Sequence, residues 1–170
     1  ASTHPGEEDA ARRAHAQLRR AVPDACLVLV PRHPERFPEA AGCIERERFP
    51  YRRVTELDRP APADAPVVPG AVVLVDRMGE LFHWCGAVDA AFVGGSLVER
   101  GGHNVIEPAW HGVPVLLGPS DFNFREIVAG YEAEGVLTRL RDADDLGRAL
   151  VALARDPEGR RAQGARARAL

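Results

Sequence analysis

Short apolar runs without a polar break punctuate this chain: Cys26-Leu27-Val28-Leu29-Val30, Ala71-Val72-Val73-Leu74-Val75, Ala90-Ala91-Phe92-Val93 and Val113-Pro114-Val115-Leu116-Leu117. A strand with one face in water alternates apolar and polar residues, so runs that are apolar throughout belong to a parallel sheet covered on both faces. Helical segments lie between them. The opening Ser2-Thr3-His4-Pro5-Gly6-Glu7-Glu8 reads as a loop running into a helix that reaches about Ala21 and stops before Pro23; others cover Leu81 to Cys85, Asn104 to Trp110 and Phe124 to Glu132. The acids of the first are read as compensating its macrodipole. Gly112 ends the third, which is common punctuation for a helix followed by a strand. Weaker strands are expected at Tyr51 to Val54 and Gly135 to Thr138. After them come a helix carrying Leu146, Leu150 and Leu153 and an Arg- and Ala-rich terminal helix. The stretch from Ala40 to Gly70, with Pro50, Pro60, Pro62, Pro66 and Pro69, reads as irregular surface chain around one short strand. This alternation predicts an α/β fold, a parallel sheet with helices on both faces, built as one domain from residues 1–170.

In such a sheet every strand's carboxyl end opens on the same edge, and ligands bind there. Three loops reach it: Pro31-Arg32-His33, Met78-Gly79-Glu80, and the stretch from Gly94 to Glu107. The third follows a strand with Gly94-Gly95-Ser96 and enters a helix through Gly101-Gly102-His103-Asn104. Glycines let backbone N–H groups approach an anion closely, and the first turn of a helix offers more of them. The same pattern also packs a helix tightly on a sheet, and the residues alone leave both readings open. Glu107 likewise either offsets the helix dipole or holds ribose hydroxyls, as acids do in dinucleotide folds. His4, His33 and His103 stand beside Pro, Gly or Asn in loops, where they are candidate donors to an anion.

Charge and composition narrow the classes. All 22 basic residues are Arg and the formal net charge is -3, which argues against a nucleic-acid surface. Arg presents a planar fork suited to phosphate and carboxylate, although base composition accounts for most of these arginines. Cys26, Cys43 and Cys85 have no metal-ligand spacing and read as reduced thiols of a cytosolic compartment. No apolar run spans a bilayer and no signal peptide is seen. Asp142-Ala143-Asp144-Asp145 has the spacing of a metal-dependent sugar-nucleotide motif but stands at a helix start, where acids cap the N-terminus. Ser96 lacks the second glycine of a nucleophile elbow. The expectation is no metal and no cofactor. The chain opens at Ala1 without a Met, inside a motif, and is read as a piece of a longer protein.

Five ordered motifs carry a family resemblance. Ser2-Thr3-His4-Pro5-Gly6-Glu7-Glu8, Pro31-Arg32-His33-Pro34-Glu35-Arg36-Phe37, Asp76-Arg77-Met78-Gly79-Glu80-Leu81, Phe92 through Ala109, and Gly118-Pro119 with Phe122-Asn123-Phe124 together resemble the carboxyl-terminal half of bacterial 3-deoxy-D-manno-octulosonic acid (Kdo) transferases. The resemblance covers Ala1 to about Gly135. It implies a Rossmann-like domain forming one half of a GT-B glycosyltransferase, which moves Kdo from CMP-Kdo to a lipid A precursor in lipopolysaccharide biosynthesis at the cytoplasmic face of the inner membrane. The implied CMP-Kdo contacts are Pro31 and Arg32, Met78, Gly79 and Glu80, and Asn104, Val105, Ile106 and Glu107. His33, Gly95, Ser96 and His103 join them from the loop pattern. Arg32 and the helix start at Asn104 would face the donor's anions, Glu107 the ribose and the Met78 loop the cytosine. The general base, the acceptor site and the membrane anchor would belong to an N-terminal domain absent from the chain. This piece is therefore expected to be inactive alone, with no catalytic residue of its own.

The sequence departs from many relatives at Ser120 (His), Arg77 (Thr) and Val105 (Pro). Ser120 is accordingly left out of the site, and Arg77 reads either as a replacement cation or as a solvent-facing charge. Two competing readings remain: another GT-B enzyme using a different nucleotide sugar, such as a UDP-sugar transferase or an epimerase, and a nucleotide-binding module without catalysis.

Overall fold

The computed structural model describes residues 1–46, 49–57 and 69–170. Helix α1 (Glu7–Ala21) leads to strand β1 (Leu27–Leu29), a 3-10 turn (Pro34–Arg36), α2 (Phe37–Glu45), β2 (Tyr51–Arg53), α3 (Val54–Leu57) and β3 (Val72–Leu74). The second half continues with α4 (Leu81–Cys85), β4 (Ala91–Val93), α5 (Ile106–Trp110), β5 (Val115–Leu117), α6 (Arg125–Ala133), β6 (Leu137–Arg139), α7 (Ala143–Arg155) and α8 (Pro157–Ala169). Among the described residues every strand pair is parallel. The strands form two three-stranded groups, β1-β3-β2 and β4-β5-β6.

Both faces of each group are covered, as the unbroken apolar runs require. On one face Leu29, Val72 and Leu74 meet Ala11 of α1 and Ala40, Ala41 and Ile44 of α2, while Phe92 and Leu116 meet Ala14 of α1 and Leu146 of α7. On the other, Val73 and Val75 pack with Leu81 and Trp84 of α4, and Val93, Val115 and Leu117 pack with Val105 and Val128. Helix α1 thus crosses both strand groups. Its close approach to α7 depends on small residues, since a Cβ at Gly147 would lie 3.4 Å from the Ala14 Cα and run into Gln17.

Helix α2 begins just before the stretch read as irregular and runs into it. Pro38 and Gly42 lower its helical propensity, but Pro38 falls in the first turn, where a missing N–H costs nothing, and burial of Ala40, Ala41 and Ile44 supplies the stability. Most of the surface loop expected before Gly70 lies outside the described residues. Cys26, Cys43 and Cys85 are free. Asp142 caps α7 as expected, accepting the Asp145 N–H at 2.9 Å. Among the described residues no helix is long and apolar enough to cross a membrane.

Residues Ala1 to Thr3 stitch the two strand groups together. The Thr3 N–H donates to the Val30 carbonyl at 3.1 Å and the Arg32 N–H to the Thr3 carbonyl at 3.0 Å. Across the seam, the Ala1 amino group donates to the Phe92 carbonyl at 2.6 Å and the Gly94 N–H to the Ala1 carbonyl at 2.7 Å. Burial lowers the Ala1 amino pKa to about 6. A Cβ on Gly94 would overlap the Ser2 carbonyl, which is why glycine stands there. Toward the beginnings of the strands the seam opens into a cavity of about 500 Å³, lined by the facing edges of β1 and β4 and by Leu18, Trp84, Leu146 and Leu150.

Candidate functional site

The chain lays β1, β3 and β2 on one side of the seam and β4, β5 and β6 on the other. The carboxyl-end loops bordering the seam therefore diverge, and in an open α/β sheet such a switch point is where a ligand crevice forms. Thr3 and His4, Pro31 to His33, and Gly94 to Asn104 border it.

The glycine loop is anchored from inside. Glu7 is 1% exposed, and its carboxylate accepts the N–H groups of Gly95 at 2.8 Å, Ser96 at 3.1 Å, Leu97 at 3.0 Å and His4 at 2.9 Å. The expectation that the Gly95 and Ser96 amides wait for a ligand anion is therefore corrected: the protein's own carboxylate fills that cradle. Ser96 has no exposed surface, and its hydroxyl donates to the Val93 carbonyl at 2.5 Å and accepts the Gly118 N–H at 2.9 Å. Glu8 makes a second buried tie, accepting the Thr3 hydroxyl at 3.1 Å and the Arg36 guanidinium at 3.1 Å. The sequence reading assigned both acids to the helix dipole. A signal was present, because Glu7 shares the spacing of Ala11, Ala14 and Leu18 on the inward stripe of α1.

Three imidazoles gather above this anchor. The Nε2 atoms of His4 and His103 lie 2.7 Å apart with the rings nearly parallel, and the His33 ring meets His4 edge-on at 5.7 Å between centroids. His103 rests against Gly95, whose Cβ would come within 3.1 Å of the ring, so glycine at that position makes room for the imidazole. Desolvation, followed by the charge influence of His4 and Arg32, lowers the His103 pKa to about 4, and desolvation lowers that of His4. The structure thus brings His33 and His103 together with His4 and within electrostatic reach of Arg32. Arg32 and His33 are exposed, whereas Pro31 is buried and forms a parallel bridge with Thr3.

The other expected contacts flank the crevice. Helices α4 and α5 pack side by side, with Phe82 against His111 at 4.4 Å between ring centroids. Both follow parallel strands, so their N-termini open on the same edge and bring the Met78 loop alongside Asn104 to Glu107. Met78 is 50% exposed, and Gly79 turns with φ 82°. Glu80 is engaged by Arg77 at 2.9 Å and by the Trp84 indole at 3.3 Å, so Arg77 serves as that acid's partner. Asn104 accepts the Ile106 N–H at 2.9 Å and donates to Glu107 at 3.2 Å. Val105 is fully buried and cannot touch a ligand through its side chain, while Ile106 is exposed.

Ser120 belongs to the loop's scaffold, its hydroxyl accepting the Gly101 N–H at 2.9 Å. Arg139 holds the loop after β5, donating to the Gly118 carbonyl and to Asp121 and Glu132. These bonds raise the Arg139 pKa and lower that of Glu132. Among the described residues no cluster of three or more His, Cys, Asp or Glu could hold a metal ion.

No protein-family model matches the chain. It is similar to 3-deoxy-D-manno-octulosonic acid transferases from Haemophilus influenzae, at 43% identity over 96% of this chain and 37% of the relative, and from Bordetella pertussis, at 36% identity over 99% and 39%. The chain therefore spans less than two fifths of the length of these relatives. Among solved structures it is similar to the C-terminal CMP-Kdo binding domain of WaaA from Acinetobacter baumannii, with a TM-score of 0.86 and 32% identity over 98% of this chain and 85% of that one.

Proposed function

As the chain belongs to the family of 3-deoxy-D-manno-octulosonic acid transferases and corresponds to their carboxyl-terminal part, we propose that it is the donor-binding domain of such an enzyme and holds CMP-Kdo at the switch-point edge. The observation carrying this reading is the match, over nearly its whole length, to a solved domain described as CMP-Kdo binding. The site's chemistry supports it. CMP-Kdo carries a phosphodiester and a carboxylate, and the crevice gathers Arg32, Arg100 and three imidazoles around the seam. Arg32 neutralises the donor's anions, Glu107 takes the ribose hydroxyls while Asn104 holds it in place, and the Met78–Glu80 loop borders the cytosine.

In the complete enzyme this domain would pair with an N-terminal domain as the second half of a GT-B fold. That half would bind the lipid A precursor, supply the general base and attach to the inner membrane on its cytoplasmic side. The present domain would stabilise the departing CMP electrostatically and contribute no base. The apolar cavity between the edges of β1 and β4 suits an extended strand running into Ala1 from that preceding half.

Calorimetric titration of the chain with CMP, UMP and GMP tests the donor assignment. CMP is expected to bind at least tenfold more tightly than the other two. Equal affinity for all three contradicts the assignment.

A further inference from the structure

We propose that His4 and His103 act as one proton-accepting contact for the donor's anion, so that binding a phosphodiester at this edge takes a proton from solution. This rests on the donor-site reading above and adds to it the coupling of His4 to His103 and a proton linkage.

Two neutral imidazoles carry two ring hydrogens between them. With the Nε2 atoms 2.7 Å apart, one hydrogen fills the bridge and one N–H points outward from a remaining Nδ1. Among the described residues each ring's only hydrogen-bonding partner is the other ring. The second Nδ1 therefore keeps a lone pair, which repels an anion. A third proton converts that lone pair into a donor, and the pair then offers two outward N–H groups and a charge of +1.

The surroundings hold the free pair neutral. His4 is buried and His103 partly so; Arg32 and His33 from the loop after β1 and Arg100 from the glycine loop all disfavour an added proton. Glu7 and Glu8 of α1 pull the other way, but Glu7 already accepts four backbone N–H groups, and Glu8 is tied to Thr3 and Arg36. A single negative charge about 5 Å from an imidazole raises its proton affinity on the order of a hundredfold at an effective dielectric near 20. That suffices to lift the His103 pKa from about 4 into the range where the ring takes up a proton at pH 6.

The probe is cytidine 5′-methylphosphate, a diester whose phosphate does not titrate near neutrality. Calorimetry of the whole chain at pH 6 in two buffers of different ionisation enthalpy should give an uptake of about half a proton per ligand, vanishing at pH 8, with affinity falling about twofold between the two. His103→Asn and His4→Gln should each abolish the uptake. Imidazole NMR of the wild-type chain needs no variant: the ligand should raise the apparent pKa of the His4–His103 pair by about two units. Binding without uptake, or uptake that survives both substitutions through His33 or the Ala1 amine, overturns the proposal while leaving the donor site standing. A diester that does not bind at either pH sinks the donor site and this proposal together.

Discussion

Two carboxylates flank the same glycine loop, one at each end, and their surroundings differ in kind. Glu7 is buried at the loop's beginning with four backbone N–H groups on its oxygens, while Glu107 stands half-buried at its end with the Asn104 side chain as its hydrogen-bond partner. Both occupy the first turn of a helix, where an acid is expected for dipole reasons alone. Position along a helix therefore does not separate a structural acid from one available to a ligand. What separates them is whether the neighbouring donors are consumed within the protein.

Substitution at the two acids should widen this contrast. Glu7→Ala removes an acceptor shared by four backbone donors, three of them buried, and each buried amide left orphaned costs about 1–3 kcal/mol. A loss of roughly 4 kcal/mol or more is expected, read as a fall of about 10 °C or more in Tm. Gly94→Ala tests the same corner by another route, since its Cβ would overlap the Ser2 carbonyl; a loss of about 1–3 kcal/mol is expected by urea denaturation. Glu107→Gln should lower CMP affinity about tenfold and leave Tm within about 2 °C, the reverse of the Glu7 outcome. A Glu107 variant that loses stability instead of affinity would erase the distinction.

Acidification acts on the Glu7 side. His103 is held near pKa 4, and His4 and His15 are also lowered by burial, so these rings are neutral in the fold but take up protons readily when unfolded. Their contribution is complete above about pH 6.5 and is lost as pH falls toward 4. The fall in Tm between pH 7 and pH 4.5 should be shallower in His103→Asn than in wild type. The smallest effect belongs far from the crevice: Asp142→Ala should cost about 1 kcal/mol through its lost cap and leave CMP binding unchanged.

The strands and the edge they open on were legible in the sequence, because an unbroken run such as Val72 to Leu74 fits only a strand covered on both faces, and parallel strands point their loops one way. The same logic placed Arg32, His33 and His103 at this edge, where the structure gathers the two histidines with His4 and within electrostatic reach of Arg32. Helix α2 was hidden by Pro38 and Gly42, since tertiary burial there outweighs local propensity. Glu7 was hidden for a different reason: its partners lie about 90 residues away, as the separations of 88, 89 and 90 to Gly95, Ser96 and Leu97 state, and local pattern carries no record of such a pairing. The error then propagated to Gly95 and Ser96, whose amides look free until the internal carboxylate is seen.

A backbone amide NMR titration with CMP tests the central claim most directly. The account predicts shifts at Arg32, His33, Met78, Gly79, Glu80 and Asn104 to Glu107, with the Gly95, Ser96 and Leu97 N–H groups retaining their bonds to Glu7. Shifts centred on the cavity between β1 and β4, or the same pattern with equal strength from UMP, would contradict it.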